Sequence, residues 1–139
     1  SVNNKDFYDD YAHHPTEIKA VINSARDVYP NRKIICVFQP HRYSRVKFLK
    51  KEFSKSFRKS DLVVLCPVYA AGEKVDKKFR QDYFSKLIAK QSDTQVINIK
   101  NQYELKLFFK KNLFDDEIII CMGAGSISNW INEIGKELK

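Results

Sequence analysis

At 139 residues the chain has room for one domain of ordinary size and not for two, so residues 1–139 are expected to fold as a single unit. Hydrophobic residues make up 43% and charged residues 30%, which supplies a core and excludes wholesale disorder. No apolar run approaches the roughly 20 residues that cross a bilayer. The first residues, Ser1-Val2-Asn3-Asn4-Lys5-Asp6, lack the basic-then-apolar pattern of a signal peptide, so a cytoplasmic location and no membrane partner are expected.

Lys plus Arg (25) against Asp plus Glu (17) gives a net charge of +8, which raises nucleic acid as a partner because these side chains neutralise phosphates. The lysines, however, are scattered over every predicted helix. The aromatic residues fall at core spacing instead of interleaving with basic ones as a base-stacking platform requires. A solvated lysine-rich surface is the expectation, with a basic nucleic-acid-binding module as the alternative from another functional class.

In chain order, residues 5–10 would form a short first strand. Pro15 can open a helix as its first residue, with Ile18, Val21, Ile22, Ala25 and Val28 as its apolar stripe. Residues 33–38, Lys-Ile-Ile-Cys-Val-Phe, make a β-branched run. Leu49, Phe53 and Phe57 mark a second helical stripe among lysines. Residues 61–66 make another strand, and Phe79, Tyr83, Phe84, Leu87 and Ile88 a third helix. Residues 95–99 are a fourth strand, Leu105, Phe108 and Phe109 a short helix, residues 117–122 a last strand, and Ile127, Trp130, Ile131, Ile134 and Leu138 a last helix.

The strands are too continuously apolar to be exposed on one side, which predicts a parallel sheet covered on both faces. Alternating elements with short connections predict right-handed crossovers. The expected fold is therefore a doubly wound α/β, three-layer Rossmann-like sandwich around a mostly parallel sheet of about 5 or 6 strands. Cys36, Cys66 and Cys121 each lie inside an apolar run, where a thiol is a small buried hydrophobe and not a nucleophile.

In such folds ligands bind where loops leave the carboxyl ends of the strands. Four of these loops collect the unusual residues: 9–17 (Asp-Asp-Tyr-Ala-His-His-Pro-Thr-Glu), 39–45 (Gln-Pro-His-Arg-Tyr-Ser-Arg), 67–73 (Pro-Val-Tyr-Ala-Ala-Gly-Glu) and 123–126 (Gly-Ala-Gly-Ser). All three histidines and three of the four glycines lie in them. Arg42 and Arg45 near a helix start can offer two guanidinium forks to a carboxylate or phosphate, aided by free helix amides.

His13 and His14 are adjacent, and neighbouring positions diverge too far for a metal site that needs three or four convergent ligands. No metal is expected; one of the pair could satisfy the helix start. Asp9 and Asp10 could hold ribose hydroxyls or compensate the arginines. Gly123-Ala124-Gly125 lets a ligand approach the backbone closely, or serves a tight turn for packing. No Gly-x-x-x-x-Gly-Lys-[Ser/Thr] phosphate loop occurs, so the chain by itself should not hydrolyse ATP.

Together the four loops, in register from Asp9 to about Leu138, closely resemble the C-terminal domain of the Mur ligases, the amide-forming enzymes of peptidoglycan synthesis, and within them the branch that adds L-alanine. The peptide-recycling branch shares His13-His14-Pro15-Thr16 and is the nearest alternative, but Asp9-Asp10-Tyr11 and Ala71-Gly72-Glu73 favour the alanine branch.

The resemblance implies an ATP- and Mg²⁺-dependent ligase acting on UDP-N-acetylmuramate and L-alanine through an acyl phosphate. An N-terminal UDP-sugar domain and a central ATP domain would lie outside this chain, leaving it inactive alone and without a catalytic residue of its own. It implies that Asp10 contacts the ATP ribose and that Tyr11, His13, Arg42 and Arg45 surround the alanine, the arginines gripping its carboxylate. His14, His41, Tyr69, Glu73, Gly123 and Gly125 would support them. The chain departs from the family pattern at Val2 to Tyr8, which is polar where an apolar strand is usual, so the first strand is expected to be truncated or frayed. Ser126 stands where Asp or Asn is common and receives no role.

Overall fold

The structure, a computed structural model, describes residues 6–112 and 116–138. Five strands, β1 (Asp6–Asp10), β2 (Ile34–Phe38), β3 (Leu62–Leu65), β4 (Gln95–Asn98) and β5 (Ile118–Met122), form one sheet in the order β1-β5-β2-β3-β4. Every pairing is parallel. The helices are α1 (Pro15–Val28), α2 (Tyr43–Phe48), α3 (Lys50–Ser54), α4 (Gln81–Ser92), α5 (Gln102–Asn112) and α6 (Ile127–Leu138).

Period-2 alternation along the central strands builds two cores. Ile34, Cys36 and Phe38 of β2, with Ile118, Ile120 and Met122 of β5, face α1 to α4 and pack with Ile18, Ile22, Phe53, Phe84 and Ile88. Ile35, Val37, Ile119 and Cys121 point the other way, onto Leu105, Phe108 and Phe109 of α5 and Ile127 and Ile134 of α6. Both faces are therefore covered, which is why these strands carry no polar alternation. Burial pushes the Cys36 thiol up to about 12 and raises Cys66 and Cys121 as well, so all three sit in the core as apolar filler.

The expected sandwich and its strands are present, and four details differ from the sequence pattern. Residues 6–10 pair with β5 over the full length of β1, so the frayed-strand expectation fails there; backbone pairing needs no apolar side chain, and Phe7 supplies one anyway against Phe109, ring centroids 5.6 Å apart. Val2 to Lys5 lie outside the described residues. Leu49, Phe53 and Phe57 do not share one helix: the chain breaks at Leu49 between α2 and α3, and Phe57 follows α3 in a turn while still filling the core. Val28, the last residue of α1, is 67% exposed, while Ala25 and Tyr29 pack against the core on either side of it. Tyr83 is 54% exposed with Arg80 stacked 4.2 Å from its ring, not in the core.

Connections from β1, β2 and β3 lead to helices on one face, and those from β4 and β5 to helices on the other. Loops therefore diverge on both sides of β5 and again between β3 and β4, the switch points where α/β sheets open a crevice. The β3/β4 crevice is closed internally: the Gln81 carboxamide donates to Leu65 O at 2.9 Å and to Asn98 Oδ1 at 3.2 Å.

Truncating Phe38 to Ala should cost about 3–5 kcal/mol in urea unfolding, because the central strand cannot collapse around the void. Val28→Ser should change stability by less than about 0.5 kcal/mol despite sitting in the same sequence stripe as Ile22.

Candidate functional site

At the end of β1 the chain turns sharply. Asp10 Oδ1 accepts the Ala12 N–H at 2.8 Å, and Asp10 O accepts the Gly123 N–H at 3.1 Å, tying this loop to the one after β5. Among the described residues Asp10 Oδ2 carries no hydrogen bond. The carboxylate also borders a groove of about 240 Å³ between β1 and α1, floored by Val21, Ala25 and Ile120. Neither Asp9 nor Asp10 pairs with Arg42 or Arg45 among the described residues.

Tyr11 projects into solvent, 73% exposed, and its carbonyl accepts His13 Nδ1–H at 2.8 Å. The start of α1 is closed by Glu17, whose Oε1 accepts the backbone N–H of His14 at 3.1 Å and of His13 at 3.3 Å. These bonds hold the Glu17 carboxyl below its ordinary value. Glu17 thus folds back onto the two amides just ahead of α1.

The loops after β2 and β3 run side by side. Tyr69 N–H donates to Pro40 O and Arg42 N–H to Tyr69 O, both at 2.8 Å, forming a one-residue parallel bridge between His41 and Tyr69. This arrangement fixes Arg42 at φ +69°, a region that residues with a side chain avoid and that functional loops tolerate when their surroundings hold it. Arg42 is exposed, and its guanidinium has no hydrogen bond or ion pair among the described residues. Arg45 is half-buried and donates from one guanidinium nitrogen to His41 Nδ1 at 2.9 Å.

Glu73 arrives through a tight turn in which Ala71 has φ +54° and Gly72 φ +89°, where glycine pays no Cβ penalty. Its carboxylate accepts Ser44 Oγ–H at 2.5 Å and Ser44 N–H at 3.3 Å, and these bonds lower its pKa. Glu73 therefore occupies an amide of α2 that was expected to be free for a ligand.

After β5, Gly123 and Gly125 are packing positions. A Cβ on Gly123 would lie 2.9 Å from Ile127 Cγ2 and 3.1 Å from Gln39 O. One on Gly125 would lie 2.4 Å from the Tyr69 ring. The space beside both glycines is taken by the protein's own atoms, so of the two readings the tight turn prevails.

Gln39, 2% exposed, bridges the switch point: its amide donates to Ser126 Oγ at 2.9 Å, and its Oε1 accepts Ile127 N–H at 3.1 Å. Ser126 thus has a structural partner that its sequence position did not announce. A glutamine directly after a fully apolar strand was the available signal, since a buried carboxamide demands partners on both of its ends.

The structure brings the expected residues together. Ring centroids of His13 and His14 are 4.9 Å apart, of His13 and His41 5.8 Å, and of His41 and Tyr69 5.7 Å, the last pair stacked at 26°. Two arginines, three histidines and Tyr69 make a cationic and aromatic rim with a carboxylate, Glu73, at its margin. His41 titrates below its ordinary value because of burial, then Arg45, His13 and Arg42, with Glu73 opposing. Among the described residues no group of three His, Cys, Asp or Glu could hold a metal ion. The three thiols are buried away from this rim, and its two guanidinium groups can orient and neutralise a small anion.

Comparison with known proteins assigns the family. The profile described as "Mur ligase, glutamate ligase domain" matches residues 1–125. The chain belongs to the Mur ligase family. It is 52% identical over 128 residues to the UDP-N-acetylmuramate–L-alanine ligase of Pelagibacter ubique, covering 92% of this chain and 28% of that protein. It is 40% identical over 134 residues to the same-named ligase of Brachyspira hyodysenteriae, covering 95% and 28%.

The solved UDP-N-acetylmuramate–alanine ligase of Thermotoga maritima superposes with a TM-score of 0.66 at 25% identity, over 94% of this chain and 26% of that one. A murein peptide ligase from Psychrobacter arcticus shares the fold, with a TM-score of 0.76 at 15% identity over 99% and 28%. This Mur ligase chain spans little more than a quarter of the length of the curated relatives it matches. No helix among the described residues is long and apolar enough to cross a membrane.

Two outcomes are expected of the chain itself. Gln39→Ala strands the Ile127 N–H and should cost about 1–3 kcal/mol in urea unfolding. Because the folded state disfavours protonated His41, unfolding should take up a proton as pH falls through about 6.5. The stability from this residue is present above that range and lost below it, so His41→Asn should flatten the slope of stability against pH between about 7 and 5.

Proposed function

We propose that the chain is the amino-acid-gripping part of an ATP-dependent ligase that joins L-alanine to UDP-N-acetylmuramate, an enzyme of cell-wall synthesis. The observation that carries this reading is the pairing of Arg42, free and exposed, with Arg45, held by His41, on one rim. The names of the relatives at 52% and 40% identity supply the substrates.

In this reading ATP supplies the phosphoryl group that turns the muramoyl carboxylate into an acyl phosphate. The amine of L-alanine attacks the acyl carbon, phosphate leaves, and the amine proton is lost to solvent or a nearby base. Arg42 and Arg45 hold the alanine carboxylate and so aim the amine, while Tyr11 and His13 wall its side. Such clamping converts binding energy into orientation. The unused Asp10 Oδ2 is placed to accept from ribose hydroxyls. In this reading magnesium would be held with the phosphate-binding loop and the UDP-sugar site in the rest of the ligase.

The test is steady-state kinetics on the ligase at the length of its relatives. Arg42→Ala and Arg45→Ala should each raise KM for L-alanine at least roughly thirtyfold, the equivalent of losing about 2 kcal/mol of charge pairing. KM for ATP should hold. The 139-residue chain alone should turn over no ATP. Unchanged alanine kinetics in both variants would remove the clamp, preference for a peptide over L-alanine would reassign the substrate, and ATP turnover by the chain alone would refute the division of labour.

A further inference from the structure

The two arginines of the rim differ in a way that their Arg-x-x-Arg spacing hides. Arg45 Nη1 lies 2.9 Å from His41 Nδ1, with a longer bond to His41 O at 3.4 Å; an arginine can only donate, so Nδ1 must carry its lone pair and the proton must sit on Nε2. His13 has the opposite arrangement, since its Nδ1 faces the Tyr11 carbonyl at 2.8 Å and must donate. The groups around the His41 ring are fixed in number: His13 from the loop after β1, Tyr69 and Glu73 from the loop after β3, and Arg42 and Arg45 from its own segment.

The ring that stacks on His41 is itself wedged. Tyr69 occupies the notch where a Gly125 Cβ would stand, 2.4 Å from its Cγ and 2.5 Å from its Cδ1, and its backbone is bridged to His41. Gln39 Oε1 lies 2.9 Å from the same Cβ position and holds the turn from the other side. A continuous column therefore runs from the start of α6 through Gly125, Tyr69 and His41 to the Arg45 guanidinium; at Arg42 it reaches the backbone, through the bond to Tyr69 O, and not the guanidinium.

We propose that His41 and Tyr69 are positioning residues that hold Arg45 in a preset pose while Arg42 stays free, giving the rim one fixed and one closing cation. That both cations serve one carboxylate rests on the ligase reading; the preset pose does not. Gly125 is required because any side chain there would eject the Tyr69 ring. His41 is required as a neutral acceptor, a role that protonation would abolish by setting two like charges at hydrogen-bond distance.

Nitrogen-detected NMR of the isotopically labelled 139-residue chain tests this directly. His41 should be the Nε2–H tautomer, and rotation of the Arg45 guanidinium should be roughly tenfold slower than that of Arg42, as the retained bond to the His41 ring implies, the 3.4 Å bond to His41 O being too long to hold it alone. Tyr69→Ala and Gly125→Ala should each abolish the difference, Tyr69→Phe should keep it, and Gly125→Ala should add nothing in a Tyr69→Ala background. Should Gly125→Ala fail to fold, the contrast between Tyr69→Ala and Tyr69→Phe decides. A proton on His41 Nδ1, equal rotation of the two arginines in the unsubstituted chain, or a slow Arg45 in Tyr69→Ala would overturn the proposal. Failure of the kinetic test on the ligase would remove the carboxylate and leave this result standing.

Discussion

The insertion of β5 between β1 and β2, parallel to both, is the constraint on which the rim depends. It sets Asp10, Met122 and Phe38 side by side in register, so the loops after β1 and β2 each leave the sheet one strand spacing from the loop after β5. Because the loop after β5 turns to one face and its neighbours to the other, the crevice cannot close on itself. Residues far apart in sequence, from His13 to Gly125, meet there without any long-range contact having to be designed for that purpose.

What keeps this crevice from being a void is polar and internal. Gln39 fastens β2 to the start of α6 across the switch point beside β5, and Gln81 fastens the start of α4 to the ends of β3 and β4 across the other. Each carboxamide provides donors and an acceptor in one rigid plane, which suits a gap where backbone groups of two diverging segments need partners. At β3/β4 the amide fills the gap. At β5 it lies low, beneath Gly125, and leaves the cationic upper rim to Arg42, Arg45 and the histidines.

Much of this was legible in the sequence because its cause is local. Runs such as Ile118 to Cys121 can only be strands buried on both faces, and the four loops stood out because histidine, arginine and glycine gathered in them. The unread parts depend on tertiary partners. Leu49 carries no breaker residue, and nothing local says that α2 ends there. Val28 matches the stripe of α1 but lies on the open side of the groove that α1 makes with β1. Glu73 reads as a loop acid until the turn at Gly72 delivers it to Ser44. Tyr69 and Gly125 acquire meaning only as a pair 56 positions apart, a steric fit that neither residue type announces.

On the ligase reading proposed above, anchoring and aiming are this chain's chemistry. The buried thiols, the capped helix starts and the absence of a metal cluster among the described residues all withdraw reactive groups, while the strain at Arg42 is retained where a free cation is exposed. The most direct measurement is a crystal structure of the ligase, at the length of its relatives, with the alanyl product and ADP bound. The account predicts the alanyl carboxylate within hydrogen-bond reach of both the Arg42 and Arg45 guanidinium groups, with Arg45 still bound to His41. A carboxylate seated away from this rim, with both arginines turned to solvent, would contradict it.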